Sequence, residues 1–163
     1  MTKKILFLFA ITAILIIDTS CDNGDVDLPS FQFDDTVYVC GDYVLYRQNS
    51  SGTEAIILLV PAEYFNPEAT TQLPLTPDNC IYRIFDTAFD QNYFCSDIPP
   101  ASPVVITEWN ASPASENYIS IIPESSGTDA PSYQITLHHL VLENGENQMI
   151  FDSFDFGIVQ LPG

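Results

Sequence analysis

Lysine is almost missing from this chain. Against 22 Asp and Glu it has four Lys and Arg in all, for a formal net charge of −18. The two lysines, Lys3 and Lys4, stand at the start, and only Arg47 and Arg83 follow. A phosphate backbone is held by clustered Lys and Arg that displace counterions, so nucleic acid is excluded as a partner. No polybasic patch is present to meet anionic lipid head groups. The lack of lysine beyond Lys4 also removes Schiff-base chemistry and the phosphate-binding Gly-rich loop that ends in Lys. Histidine is equally scarce. His138 and His139 are the only two, and adjacent strand residues point to opposite faces, which argues against a two-histidine metal site. His139 shares parity with Tyr133, Ile135, Leu137 and Val141, an apolar face, and His138 with Gln134 and Thr136. No Gly-x-Ser-x-Gly string occurs, Ser125-Ser126-Gly127 falling in a polar loop, so a serine-hydrolase nucleophile is not expected. No stretch repeats apolar residues at helical spacing over three turns, and no internal repeat is visible. No metal and no cofactor are expected.

What is present begins with Met1 to Cys21. Lys3 and Lys4 precede a run of 13 residues, Ile5 to Ile17, that is apolar apart from Thr12. A run of this length fits an export leader of roughly 7–15 residues and falls short of the roughly 20 that a spanning helix needs. Thr19 and Ser20 are small and lead into Cys21, the arrangement of a bacterial lipoprotein cut before a cysteine that carries acyl chains. Asp18 departs from that pattern, which has an apolar residue three before the cysteine. The expected division is a leader at 1–20, a lipidated acidic tether at 21–30 and one domain at 31–163. Loss of the leader removes two lysines and one aspartate, so the charge of −18 becomes −19 over 143 residues, enough chain for one domain. Asp22, Asp25 and Asp27 in the tether lack the glycine spacing and closing glutamate of a calcium loop and read as solvated.

From Phe31 onward the pattern is β. Thr36–Cys40 and Tyr43–Arg47 are rich in β-branched and aromatic residues around a break at Gly41-Asp42. Glu54–Val60 is apolar on both parities, as a central strand covered on both faces would be. Pro61–Asn79 is long and proline-bearing and reads as an excursion or functional loop. Cys80–Phe85 and Gln91–Cys95 read as a hairpin turning around Asp86–Phe89, followed by a stiff crossover at Ser96–Pro103. Strands are expected at Val104–Trp109, Asn117–Ile122, Ser132–Leu142, Asn147–Phe151 and Phe154–Leu161. The sum is an all-β domain, a single antiparallel β-sandwich of about eight to ten short strands. Thiols oxidise in an exported chain. The hairpin spacing favours Cys80 with Cys95, and four cysteines without lipid could make two bridges.

Tyr82–Phe85 (YRIF) and Tyr93–Val105 (YFCSDIPPASPVV), which leads on to Glu108-Trp109, resemble, together with Cys40-Gly41 and the EAIILL strand, a group of small uncharacterised lipoproteins of the Bacteroidetes, flavobacteria above all. The resemblance covers most of the chain behind the leader and implies no biochemical activity. It implies a disulfide between Cys40 and Cys95, the pairing preferred over Cys80 with Cys95, and leaves Cys80 as a buried thiol. It also implies that acids just behind the lipidated cysteine cue display on the outer face. Asp35-Thr36-Val37 and Asp86-Thr87-Ala88 resemble O-glycosylation signals of the same bacteria, with Thr36 and Thr87 as acceptors.

The expected function is that of a non-catalytic envelope lipoprotein, structural or binding, with the bilayer as its partner through acyl chains on Cys21 and the outer membrane as its location. A secreted or periplasmic protein is the alternative. The alternative function is a glycan- or protein-binding accessory module at the cell surface, using the Pro61–Asn79 loop and exposed aromatics. Trp109 shares parity with Val105 and Thr107 and is expected in the core. A third reading, a carboxylate-based hydrolase, needs two acids facing each other at about 5–9 Å. Asp34 with Asp35, and Asp152 with Asp155, are read instead as solvated turns.

Overall fold

The Glu54–Leu59 strand (β3) shows how the domain is layered. Its Ile56 and Leu58 are fully buried on one face of the sheet, and Ala55 and Ile57 are buried on the other. Both parities are apolar because both faces are covered, as its sequence predicts. The computed structural model describes residues 30–41, 44–98, 100–114, 116–124 and 131–161. The expected leader, Cys21, the acids of the expected tether and Ser125-Ser126-Gly127 lie outside the described residues. One compact unit spans Phe31–Gly163.

Among the described residues nine strands form one antiparallel sheet: β1 (Tyr38–Cys40), β2 (Val44–Gln48), β3, β4 (Thr71–Pro74), β5 (Cys80–Phe85), β6 (Val105–Ala111), β7 (Tyr118–Glu124), β8 (Ser132–Asn144) and β9 (Asn147–Gln160). Their order is β1-β2-β3-β5-β6-β8-β7-β4, with β9 also paired to β8. The long β8 shares its length between β7, from Ser132 to His138, and β6, at Leu142 and Glu143. The sheet folds over on itself, so inward residues from β2 to β9 meet in one core: Leu45, Ile56, Tyr82, Trp109, Ile119, Ile135, Leu140 and Phe156 are all in it. The sandwich is thus built from one continuous sheet.

Arg47 clasps the fold. Only 7 % exposed, it donates from Nε to the Asp34 carbonyl at 2.7 Å, from Nη2 to the Phe33 carbonyl at 3.1 Å, and from Nη1 to the Asp155 and Phe156 carbonyls at 2.9 and 3.4 Å. It thereby ties β2 and the segment before β1 to β9. The carbonyls on β9 sit at a register shift, where an extra residue leaves backbone groups outside the ladder that must find another partner. Asp155 helps to shape that bulge by accepting the Gly157 N–H at 2.9 Å. Phe31 stacks on Phe151 with centroids 4.3 Å apart and meets Tyr82 edge-on, closing the core beside the clasp.

Four segments differ from the sequence expectation. Asn147–Phe151 and Phe154–Leu161 join into the single strand β9, because the chain crosses Asp152 and Ser153 by changing parity and not by turning. His139 is exposed and not on an apolar face: its φ of +50° marks a kink in β8, after which Leu140 and Leu142, not Val141, point inward. Gln91–Cys95 is not a strand. Residues Asn92–Cys95 form one helical turn, α1, since the Asp90 carboxylate accepts the Asn92 N–H at 2.8 Å and its carbonyl the Tyr93 N–H at 3.1 Å. Finally, Pro61–Asn79 is mostly packed. It contains a 3-10 turn at Ala62–Tyr64 and then β4, which pairs with β7, while Phe65, Leu73 and Leu75 enter the core.

Candidate functional site

Between β5 and β6 the chain makes an excursion, Asp86 to Val104, that lies on the outer face of β1, β2, β3 and β5. Its ends meet: the Asp86 N–H donates to the Val104 carbonyl at 3.0 Å, and the Asp86 carboxylate accepts the Val104 N–H at 2.9 Å. It docks on the β2–β3 turn, where the Phe89 N–H donates to the Gly52 carbonyl at 2.9 Å. Gly52 has φ +67°, a left-handed conformation that favours glycine, whereas a Cβ there would meet the Ala88 Cβ at an ordinary contact distance of 3.5 Å. A disulfide from Cys95 to Cys40 on β1 makes the third attachment. Loops whose ends meet and whose own side chains pack beneath them are frequently functional.

Under this cap lies a second apolar cluster, in which Tyr46, Ala55, Ile57 and Phe85 of the sheet meet Phe89 and Tyr93 of the cap. Phe85 lies edge-on to Tyr93 at 5.0 Å, and Phe94 is tilted against Tyr46 at 4.7 Å. Tyr46 is fully buried, and its hydroxyl has no hydrogen-bond partner among the described residues. Burial, reinforced by the charges of Tyr38 and Asp90, pushes its pKa up to about 12. Among the described residues one cavity lies at the edge of the cap and another inside it. A groove of about 180 Å³ is lined by Val44, Ile57, Leu59, Ile81, Phe94 and Arg83. A pocket of about 480 Å³ opens within the cap itself, with Phe89, Tyr93, Pro100 and Pro103 as apolar walls and Asp90, Asn92 and Ser102 as its polar groups.

No protein-family model, curated protein or solved structure matches this chain. Function must therefore be argued from the site.

The other residues singled out by sequence are dispersed. His138 Nε2 lies 3.0 Å from Ser120 Oγ, and its ring stacks on Tyr118 at 4.5 Å, so it is a cross-strand packing residue. Trp109 is 3 % exposed, in the core as expected. Asp35 reaches Arg47 at 3.4 Å, whereas Asp34 contributes its backbone to the same clasp. The Asp155 carboxylate is occupied by Gly157 N–H and Gln134 Nε2, the latter at 2.6 Å, and Asp152 is exposed. Asp34 and Asp35 are exposed at a bend, as a solvated turn requires, whereas Asp155 departs from that reading because its carboxylate shapes the bulge in β9. Thr36 is exposed before β1, and Thr87 is exposed on the cap beside Asp86.

The disulfide is Cys40–Cys95, and the alternative Cys80–Cys95 is overturned. Cys80 is a free thiol in the inner core, on the other side of the sheet from the cap, where burial raises its pKa well above the thiol range and makes it inert. The hairpin argument failed because β5 pairs with β6, not with Gln91–Cys95. Among the described residues no group of three His, Cys, Asp or Glu could hold a metal, and no helix is long and apolar enough to cross a membrane. Sequence reasoning missed the pocket because it placed the excursion at Pro61–Asn79. The usable signal was the length between β5 and β6, with its three prolines and one half-cystine.

Proposed function

We propose that this chain is an envelope lipoprotein with a non-catalytic binding role, anchored in an outer membrane by acyl chains on Cys21 and belonging with the small Bacteroidetes lipoproteins it resembles. The observation that carries this reading is the Cys40–Cys95 disulfide. Such bonds persist in oxidising compartments and are rare in the cytosol, which agrees with an export leader at 1–20. One acyl chain holds a protein only reversibly, whereas two or three on one residue hold it firmly, at about 0.8 kcal/mol per buried methylene. The non-catalytic part is supported by how the chain spends its reactive groups: His138 is packed, the Asp155 carboxylate shapes a bulge and Arg47 clasps backbone carbonyls. The binding part is supported by the pocket within the cap, which is closed at Asp86–Val104 and held to the sheet side by the Gly52 carbonyl and the Cys40–Cys95 disulfide.

The test is the intact mass of the chain extracted from membranes, together with a carbonate wash. We expect the leader to be absent and a mass increment of two or three acyl chains. Cys21→Ser should release the protein into the soluble fraction. An unmodified Cys21, or a Cys21→Ser variant still retained after carbonate, refutes the anchor.

A further inference from the structure

We infer that the pocket within the cap, between Ala88–Tyr93 and Pro100–Pro103, binds an uncharged carbohydrate, a glycan segment of one or two sugar rings. The inference rests on the binding role proposed above and names its ligand class. Size is the first argument. At about 480 Å³ the pocket falls within the range of about 300–1,000 Å³ typical of small-molecule sites. Chemistry is the second. Phe89, Tyr93 and Pro103 are buried and show the pocket only ring edges, while the exposed Pro100 gives it an apolar ring that the C–H groups of a sugar can contact. Asp90, Asn92 and Ser102 add one carboxylate, one carboxamide and one hydroxyl, which together accept from and donate to ligand hydroxyls. Asp90 is partly committed, since one of its oxygens takes the Asn92 N–H. The side chains of Asn92 and Ser102 are exposed and make no hydrogen bond among the described residues, so they are free to meet a ligand.

Charge is the third argument. Among the described residues no Lys, Arg or His lines the pocket, and Asp90 stands in it. A sulfated, phosphorylated or carboxylated ligand would therefore bring its charge to an acidic protein with nothing to pair it. Rigidity is the fourth. Phe89 and Tyr93 are 6 % and 8 % exposed, so the apolar walls are part of the packed second cluster. The disulfide and the Asp86–Val104 closure hold the same segment, so little ordering remains to oppose binding.

The experiment is a binding screen with the mature full chain, purified from whichever fraction contains it. The probes are neutral disaccharides of glucose, mannose, galactose and N-acetylglucosamine in both anomeric linkages, their sulfated counterparts and a lysine-rich peptide. We expect at least one neutral probe to bind with Kd below about 1 mM. Asn92→Ala combined with Ser102→Ala should weaken it about tenfold or more, by removing two hydrogen bonds. Both residues are exposed, so the variant keeps the fold, which the buried Trp109 fluorescence reports. Binding of no neutral probe overturns the inference, as does neutral binding that the double variant leaves unchanged. Retention of only the sulfated probes or only the peptide overturns it too. The anchor is read by mass and the pocket by titration, so either reading can fail without the other.

Discussion

Removing the guanidinium of Arg47 tests the account of how one sheet closes on itself. Four backbone carbonyls, from Phe33, Asp34, Asp155 and Phe156, take their donors from this one side chain. A hydrogen bond to a charged group contributes about 1.5–3 kcal/mol, and a buried group left without a partner costs about 1–3 kcal/mol. The two short bonds, to Asp34 at 2.7 Å and Asp155 at 2.9 Å, should dominate. Against this stands the desolvation of a buried cation, which substitution by an apolar residue relieves. The balance for Arg47→Met is a loss of about 3–5 kcal/mol, a large part of the roughly 5–15 kcal/mol that holds a typical domain together. Arg47→Lys keeps the charge but loses the planar fork that spans β9 and the segment before β1, so it should lose about half as much. Equilibrium unfolding in urea, followed by Trp109 fluorescence, measures both variants. Amide exchange should also quicken at Asp34, whose N–H donates to the Gln48 carbonyl at 2.9 Å, well before it does on β7. A change below about 0.5 kcal/mol for Arg47→Met, or equal losses for Met and Lys, would refute the clasp.

Cys40→Ala with Cys95→Ala should cost about 4 kcal/mol, the chain-entropy value for a bridge across 55 residues. Cys95 is exposed, so mild reductant should produce the same loss in the native chain; an unfolding midpoint that reduction leaves in place contradicts this. Alkali should unfold the domain. Tyr46 is held protonated by burial up to about pH 12, and burial also raises Tyr82 and Tyr133. Because the folded state keeps these protons where the unfolded state has lost them, their stabilisation is complete below about pH 10 and declines as pH rises beyond it. Tyr46→Phe should flatten that decline in an unfolding series from pH 8 to 12, and an unchanged slope would count against Tyr46 as a contributor.

Much of the fold was legible because period-two patterns report local burial directly. The two-sided apolar run of β3 announced a strand covered on both faces, and alternation placed β5 through β8 within a few residues. The parity argument failed at His139, since a kink swaps the faces of a strand without changing its composition. It failed again at Gln91–Cys95, where a helical turn starts from a single carboxylate contact at Asp90 that no periodicity records.

The candidate site was less legible still. Composition alone determined the exclusions: a chain with no lysine past Lys4 and only two histidines cannot assemble a basic patch or a histidine cluster, however it folds. The apolar content and its alternation likewise determined that strands would pack around a core. Only the tertiary structure decided which strand neighbours which, that Arg47 would meet carbonyls more than 100 residues away, and that Asn92 and Ser102 would line one pocket. Those facts depend on long-range register and on one backbone kink, where the energy differences come from packing between segments and are invisible in either segment by itself.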